Sequence, residues 1–349
     1  MKTPLIFDGH NDVLLKQYEG GAAARKAFTT GNEFHIDVPK AVKGGFGGGF
    51  FAIWVPSVMD DDGIFERMMQ PEYDIPLPEA IDQGFALAVA MKQARALMDL
   101  ESDGALKICT NTADIRSTMK SGKMAAIMHM EGAEAIDEDF DALHVLHRAG
   151  LRSLGPVWSR PTIFAQGVPF RYPSTGDTGP GLTKAGFDLV RECNALGIML
   201  DMSHLNEKGF WDVVKTSDAP IVATHSNAYE ICPNARNLTN DQLHAIRDSS
   251  GMVGLNFATA FLRPDGQMKA DTSLEMMLRH LDHMIEHAGE DNVGLGSDFD
   301  GAMVPETIGD ISGLPNLREA MKAHGYSDAL MEKLCNGNWM RLLDATWKG

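Results

Sequence analysis

His10 and Asp12 close an apolar run, Leu-Ile-Phe-Asp-Gly-His-Asn-Asp, with a single residue between them. Side chains alternate across a strand, so positions two apart share a face. A strand here would project an imidazole and a carboxylate side by side, which is a ready pair of metal ligands. The pattern repeats. Apolar runs also end in potential ligands at His129 and Glu131, at Asp201 and His204, at His225 and at Asp298. Five strand ends offering His, Asp and Glu point to one metal site.

Something must bring those ends together. Strand-like runs fall at 5–10, 49–55, 124–130, 151–158, 198–203, 220–225, 251–257 and 292–297, with amphipathic segments between them. Strand alternating with helix implies an α/β protein with parallel strands and right-handed crossovers. Eight such units fit a closed (β/α)8 TIM barrel, whose active site lies at the C-terminal strand ends. The ligand candidates close the first, third, fifth, sixth and eighth strands. An open doubly wound sheet would spread those ends too widely for one cluster. Long loops at 57–78 and 159–181 would lie over the mouth of the barrel, where substrates are selected. With no repeat and no linker, residues 1–349 read as one domain.

Composition narrows the function. The chain has 44% hydrophobic and 23% charged residues, as soluble globular proteins do. A net charge of −17 disfavours nucleic acid and anionic membranes as partners. No apolar stretch is long enough for a membrane span, and the N-terminus lacks the apolar core of a signal peptide. These features predict a cytoplasmic protein. Cys109, Cys193, Cys232 and Cys335 form no Cys-x-x-Cys pair and read as buried thiols.

Three His, two Asp and one Glu at these strand ends can supply two metals that share a carboxylate. Imidazole with carboxylate suits zinc or a related first-row ion. The motifs Asp-Gly-His-Asn-Asp, Met-Glu-Gly, Ser-His, Thr-His-Ser-Asn-Ala-Tyr, Ala-Arg-Asn-Leu and Gly-Ser-Asp-Phe-Asp-Gly follow in order. Together they resemble the membrane (renal-type) dipeptidase family of amidohydrolase-like barrels, over nearly the whole chain. The resemblance implies a zinc-dependent dipeptidase with two Zn2+ per chain and attack by a metal-bridging hydroxide, L-Xaa-D-Xaa dipeptides being among the substrates. It implies that His10 and Asp12 hold one zinc, that His204 and His225 hold the other, and that Glu131 bridges them. Asp298 would then be the acid/base carboxylate and Arg236 the anchor for the substrate carboxylate. A homodimer is also implied.

One position departs from the family. Its histidine at the end of the fourth strand, which bonds the scissile carbonyl, is replaced here by Trp158. An indole N–H donates but cannot be protonated, so Trp158, Arg160 or His129 must take over, or the substrate must differ. His129 shares the parity of Glu131 one layer deeper. An amidohydrolase acting on an N-acyl amino acid, lactam or cyclic amide is therefore the alternative, and a non-catalytic ligand-binding barrel is the alternative of another class. Other features read as structural. The glycine run at 43–49 precedes a strand, whereas a phosphate loop follows one. His280, His283 and His287 have the spacing of an exposed helix face, and the 21 methionines read as core filling.

Overall fold

The computed structural model describes residues 3–57 and 63–347, so residues 58–62 of the long loop expected at 57–78 lie outside the described residues. Among the described residues, eight parallel strands appear where the apolar runs place them, and a short ninth, Leu106–Ile108, pairs in parallel beside Met124–Glu131. The eight are β1 (Ile6–Asn11), β2 (Phe46–Trp54), β3 (Met124–Glu131), β4 (Leu151–Leu154), β5 (Met199–Leu200), β6 (Val222–Ala223), β7 (Met252–Leu255) and β8 (Val293–Leu295). Parallel pairing runs β5-β4-β3-β2-β1-β8-β7-β6. A bridge between Asp201 and Val222, with Met202 N–H donating to Val222 O at 2.8 Å, then joins β5 to β6. The ring closes into a barrel.

Strand parity builds its two layers. On β3, Ala125 and Ile127 point inward to meet Phe7, Phe50, Met199, Val222 and Met252. Met124, Ala126, Met128 and Met130 point outward to the helices. Trp339, from the helix Asn338–Thr346, fills the floor of the barrel. Its ring centroid lies 5.2 Å from that of Phe50, and its indole N–H donates to Leu295 O at 3.0 Å. Above it the walls close in so tightly that a Cβ on Gly296 would lie 1.8 Å from Thr224 O. Only glycine permits that approach. The glycine run at 43–49 has the same use, because a Cβ on Gly48 would lie 2.0 Å from Ala125 O.

The helices start where side chains can cap them. Asp82 accepts from Phe85 N–H, and Thr239 forms a capping box with Gln242. The first crossover carries the helix Val13–Thr30. Gly20 and Gly21 interrupt its pattern, and Gly21 is non-helical at φ 55°. A short antiparallel ribbon, Tyr73–Ile75 with Phe170–Tyr172, ties the loop after β2 to the loop after β4. His280 is a correction to the exposed-face reading: it is fully buried, with Nδ1 accepting from Ala228 N–H and Nε2 bonding Leu262 O. Its helical spacing is that of a surface residue, but its ring satisfies two loop backbones.

Candidate metal centre

The end of β1 carries an irregularity that the sequence does not announce. Between Asp8 and Asn11 it advances three residues while β2 advances two. Such a bulge re-aims side chains, so Phe7 and His10, three apart, both face the interior. The His10 ring stacks on His225 with centroids 3.9 Å apart. Below them Asp8 accepts from the backbone N–H and hydroxyl of Ser297, at 2.7 and 2.8 Å, locking β1 to β8.

Glu131, at the end of β3, is the hub. Its Oε2 lies 3.4 Å from His10 Nε2, which is itself 3.6 Å from Asp12 Oδ2. Its Oε1 lies 3.0 Å from His204 Nε2 and 3.4 Å from His225 Nε2. Those two imidazole nitrogens face each other at 3.1 Å. One carboxylate therefore turns one oxygen to each ligand pair. Both ring nitrogens of His10 are buried without a hydrogen-bond partner, a costly state for polar atoms unless something else engages them. The residues fit a metal: His10, Asp12 and Glu131 form one compact group, and Glu131, His204 and His225 form another.

The surrounding contacts orient these rings. His204 Nδ1 meets Ser159 Oγ, and His225 Nδ1 meets Thr224 Oγ1, each at 2.8 Å. Burial pulls both imidazoles well below the ordinary histidine range, which keeps them neutral as metal ligands must be. His204 and Asp298 both take left-handed backbone, at φ 70° and φ 62°. Asp298 N–H donates to His10 O, and its Oδ2 accepts from Asn256 Nδ2 at 3.0 Å. Burial, then the neighbouring Asp12, pushes the Asp298 carboxyl up from the ordinary range. Gly301 completes the loop, since a Cβ there would lie 2.1 Å from Asp12 Oδ2.

A cavity of about 860 Å³ opens above the cluster, with Asp12, Glu131, His204 and Asp298 in its wall. Trp158 also lines it, with its ring centroid 5.9 Å from that of His204. Phe65, Met68 and Ile75 from the loop after β2, and Phe170 from the loop after β4, extend the apolar wall. Arg236 is buried outside this lining. Its guanidinium lies 5.5 Å from the ring of Phe261, which does face the cavity, and its Nη2 donates to His225 O at 3.2 Å. Burial lowers Arg236 to about 10, against the pull of Asp298 and Glu131.

His129 is buried one layer below Glu131, where Nδ1 bonds Ser153 Oγ and burial lowers it to about 4. Arg160 is committed elsewhere. It bonds Glu134 Oε1, Val55 O and Ser57 Oγ, fastening two mouth loops together. Sequence reasoning missed Asn256, Thr224 and Ser159. The rule that found the ligands would have found Asn256, which follows β7 at its C-terminal end.

The family profile described as membrane dipeptidase (peptidase family M19) matches residues 1–348. A crystal structure of a metallo peptidase from Rhodobacter sphaeroides, liganded with a phosphinate mimic of the dipeptide L-Ala-D-Ala, is 54% identical with a TM-score of 0.97, covering 99% of this chain and 100% of that one. The probable dipeptidase PvdM from Pseudomonas aeruginosa shares the fold, at 23% identity and a TM-score of 0.80 over 99% of this chain and 96% of that one. An uncharacterized protein from the pqqA 5' region of Klebsiella pneumoniae is 47% identical over 71% of this chain and 91% of its own length.

Proposed function

The chain belongs to the membrane dipeptidase family, peptidase family M19, and is a metallo-dipeptidase; from that premise we propose that it cleaves dipeptides, L-Xaa-D-Xaa pairs among them, with two zinc ions. His10 and Asp12 would hold one and His204 and His225 the other, with Glu131 offering an oxygen to each pair. The observation that carries this reading is Glu131 itself, with Oε2 toward His10 and Oε1 toward His204 and His225. When bound, a metal pair lowers the pKa of water and polarises the scissile carbonyl.

The chain supplies the rest. Asp298 takes the proton of the attacking water on a carboxylate oxygen and returns it to the departing amine. Asn256 holds Oδ2 in place for that exchange. The family resemblance assigns the free C-terminal carboxylate to Arg236, whose fork of donors matches it once the guanidinium turns from Phe261 and His225 O into the cavity. Trp158 donates its indole N–H toward the carbonyl and narrows the pocket, while His129 supports the floor beneath Glu131. The apolar wall excludes bulk water. We assign a homodimer on the family resemblance, one domain per chain on the lack of a repeat or linker, and a cytoplasmic location on the sequence composition, with which the four free, buried cysteines are consistent.

The zinc-loaded protein is expected to hydrolyse L,L and L,D dipeptides and to leave N-acyl amino acids largely untouched. Turnover of N-acyl amino acids without dipeptide cleavage would transfer the assignment to the amidohydrolase alternative. Arg236→Ala is expected to raise KM for free dipeptides by roughly 10- to 150-fold, the range of one charge-assisted hydrogen bond, and to leave KM for C-terminal amides nearly unchanged. If the wild type cleaves amides and free dipeptides equally well, Arg236 is not the anchor. Trp158→His is expected to broaden turnover across ordinary dipeptides. A variant with an unchanged substrate profile and a lower Tm would make Trp158 a packing residue.

A further inference from the structure

Asp201 and Thr224 sit directly under His225, and neither lines the cavity. Asp201 follows β5 and Thr224 follows β6, and both are buried. Asp201 Oδ1 accepts the backbone N–H groups of Ser203 and Thr224, at 3.0 and 2.8 Å. Its Oδ2 accepts from the Thr224 hydroxyl at 2.6 Å. The same hydroxyl oxygen lies 2.8 Å from His225 Nδ1.

A threonine hydroxyl has one hydrogen. Its other neighbour is Ser203 Oγ at 3.5 Å, a far weaker acceptor than a carboxylate at 2.6 Å. With that hydrogen committed to Asp201, Thr224 Oγ1 has only a lone pair to offer His225. Nδ1 must then carry the ring proton, and Nε2 is left bare. Nε2 is the nitrogen that faces Glu131 Oε1 and His204 Nε2.

We propose that Asp201, acting through Thr224, fixes His225 in the tautomer that can bind metal. The two are positioning residues, and the proposal rests on reading His225 as a metal ligand. The converse is specific. In Asp201→Asn the amide oxygen keeps the two backbone N–H groups, so the amide nitrogen faces Thr224 Oγ1 and donates to it. The Thr224 hydrogen then turns toward His225 Nδ1, and the ring proton moves to Nε2, where it blocks the metal.

The test uses the full-length protein in a chelator titration with zinc analysis. Asp201→Asn and Thr224→Val are each expected to weaken retention of one ion by about 10- to 100-fold, as loss of a contact supporting a ligand does. Thr224→Ser, which keeps the hydroxyl, should match the wild type. Nitrogen-15 histidine spectra of the metal-stripped protein should show Nδ1–H for His225 in the wild type and Nε2–H in Asp201→Asn. Thr224→Val leaves the Asp201 backbone contacts in place, so it remains informative if Asp201→Asn fails to fold. His225→Ala separates the two readings. If it retains both ions, His225 is not a ligand and the metal-site reading fails. If it loses an ion while Thr224→Val binds zinc as the wild type does, only the relay is overturned.

Discussion

Asp298→Asn is expected to lower kcat by about 10²–10⁴, the usual contribution of a positioned acid/base group, and to leave the metal content unchanged. The argument begins with the geometry. Asp298 lies in the cavity wall with Asp12 and within reach of His10 and His225, yet neither of the two compact ligand groups around Glu131 includes it. Its backbone N–H and Oδ2 are fixed by His10 O and Asn256. An asparagine of the same shape can keep those contacts, its Oδ1 accepting from Asn256, but cannot accept the proton of a water. Metal analysis and turnover on one preparation separate the roles. Loss of metal together with activity would make Asp298 chiefly a ligand, and wild-type turnover would remove it from the mechanism.

Glu131→Gln is expected to lose metal and all measurable activity and, once both proteins are stripped of metal, to be the more stable of the two at pH 8. Burial pushes the Glu131 carboxyl up from 4.5 to about 7, and Asp12 and Asp298 add to the rise, while His10 opposes it. The unfolded glutamate ionises near its ordinary value. Between about 4.5 and 7, therefore, the unfolded state releases a proton that the metal-stripped fold retains, and stability falls as pH rises. Each pK unit is worth about 1.4 kcal/mol. His10, held well above the ordinary range by Glu131 and Asp12, acts in the same direction, since raising the pH removes the proton that pairs it with them. Thermal unfolding in chelator at pH 5 and pH 8 checks the sign. A metal-stripped wild type that gains stability toward pH 8 would contradict it.

The barrel was legible because its strands obey one rule. On β3 the alternation that sends Ala125 and Ile127 inward also sends His129 and Glu131 inward, and that can be counted from the chain alone. β1 shows where counting stops. By strict alternation from Phe7, His10 would face outward, and the irregularity near it depends on pairing with β2. The hydroxyls of Thr224 and Ser159 were illegible for a similar reason. Serine and threonine are common beside strand ends, and only the fold reveals which of them touches an imidazole. β5 and β6 are shorter than their apolar runs because Asp201 takes over the backbone N–H groups of Ser203 and Thr224. Sequence marks the apolar run; it does not mark where side chains replace the ladder.

The closure of β1 onto β8 has a bearing on when the site comes into being. Ser297 reaches Asp8 across 289 positions of chain, and Trp339, which fills the floor, comes later still. His10 and Asp12 lie far upstream of their partners His204, His225 and Asp298. Contacts this remote in sequence form late, and a domain completes its fold as a unit. A nascent chain that has just exposed β7 still shows an unpaired β1 edge and an open floor at Phe7 and Phe50. That floor is covered only once the helix Asn338–Thr346 brings Trp339 against Phe50. An ion held at this centre would therefore report that β1, β3, β5 and β6, segments remote in sequence, have come together.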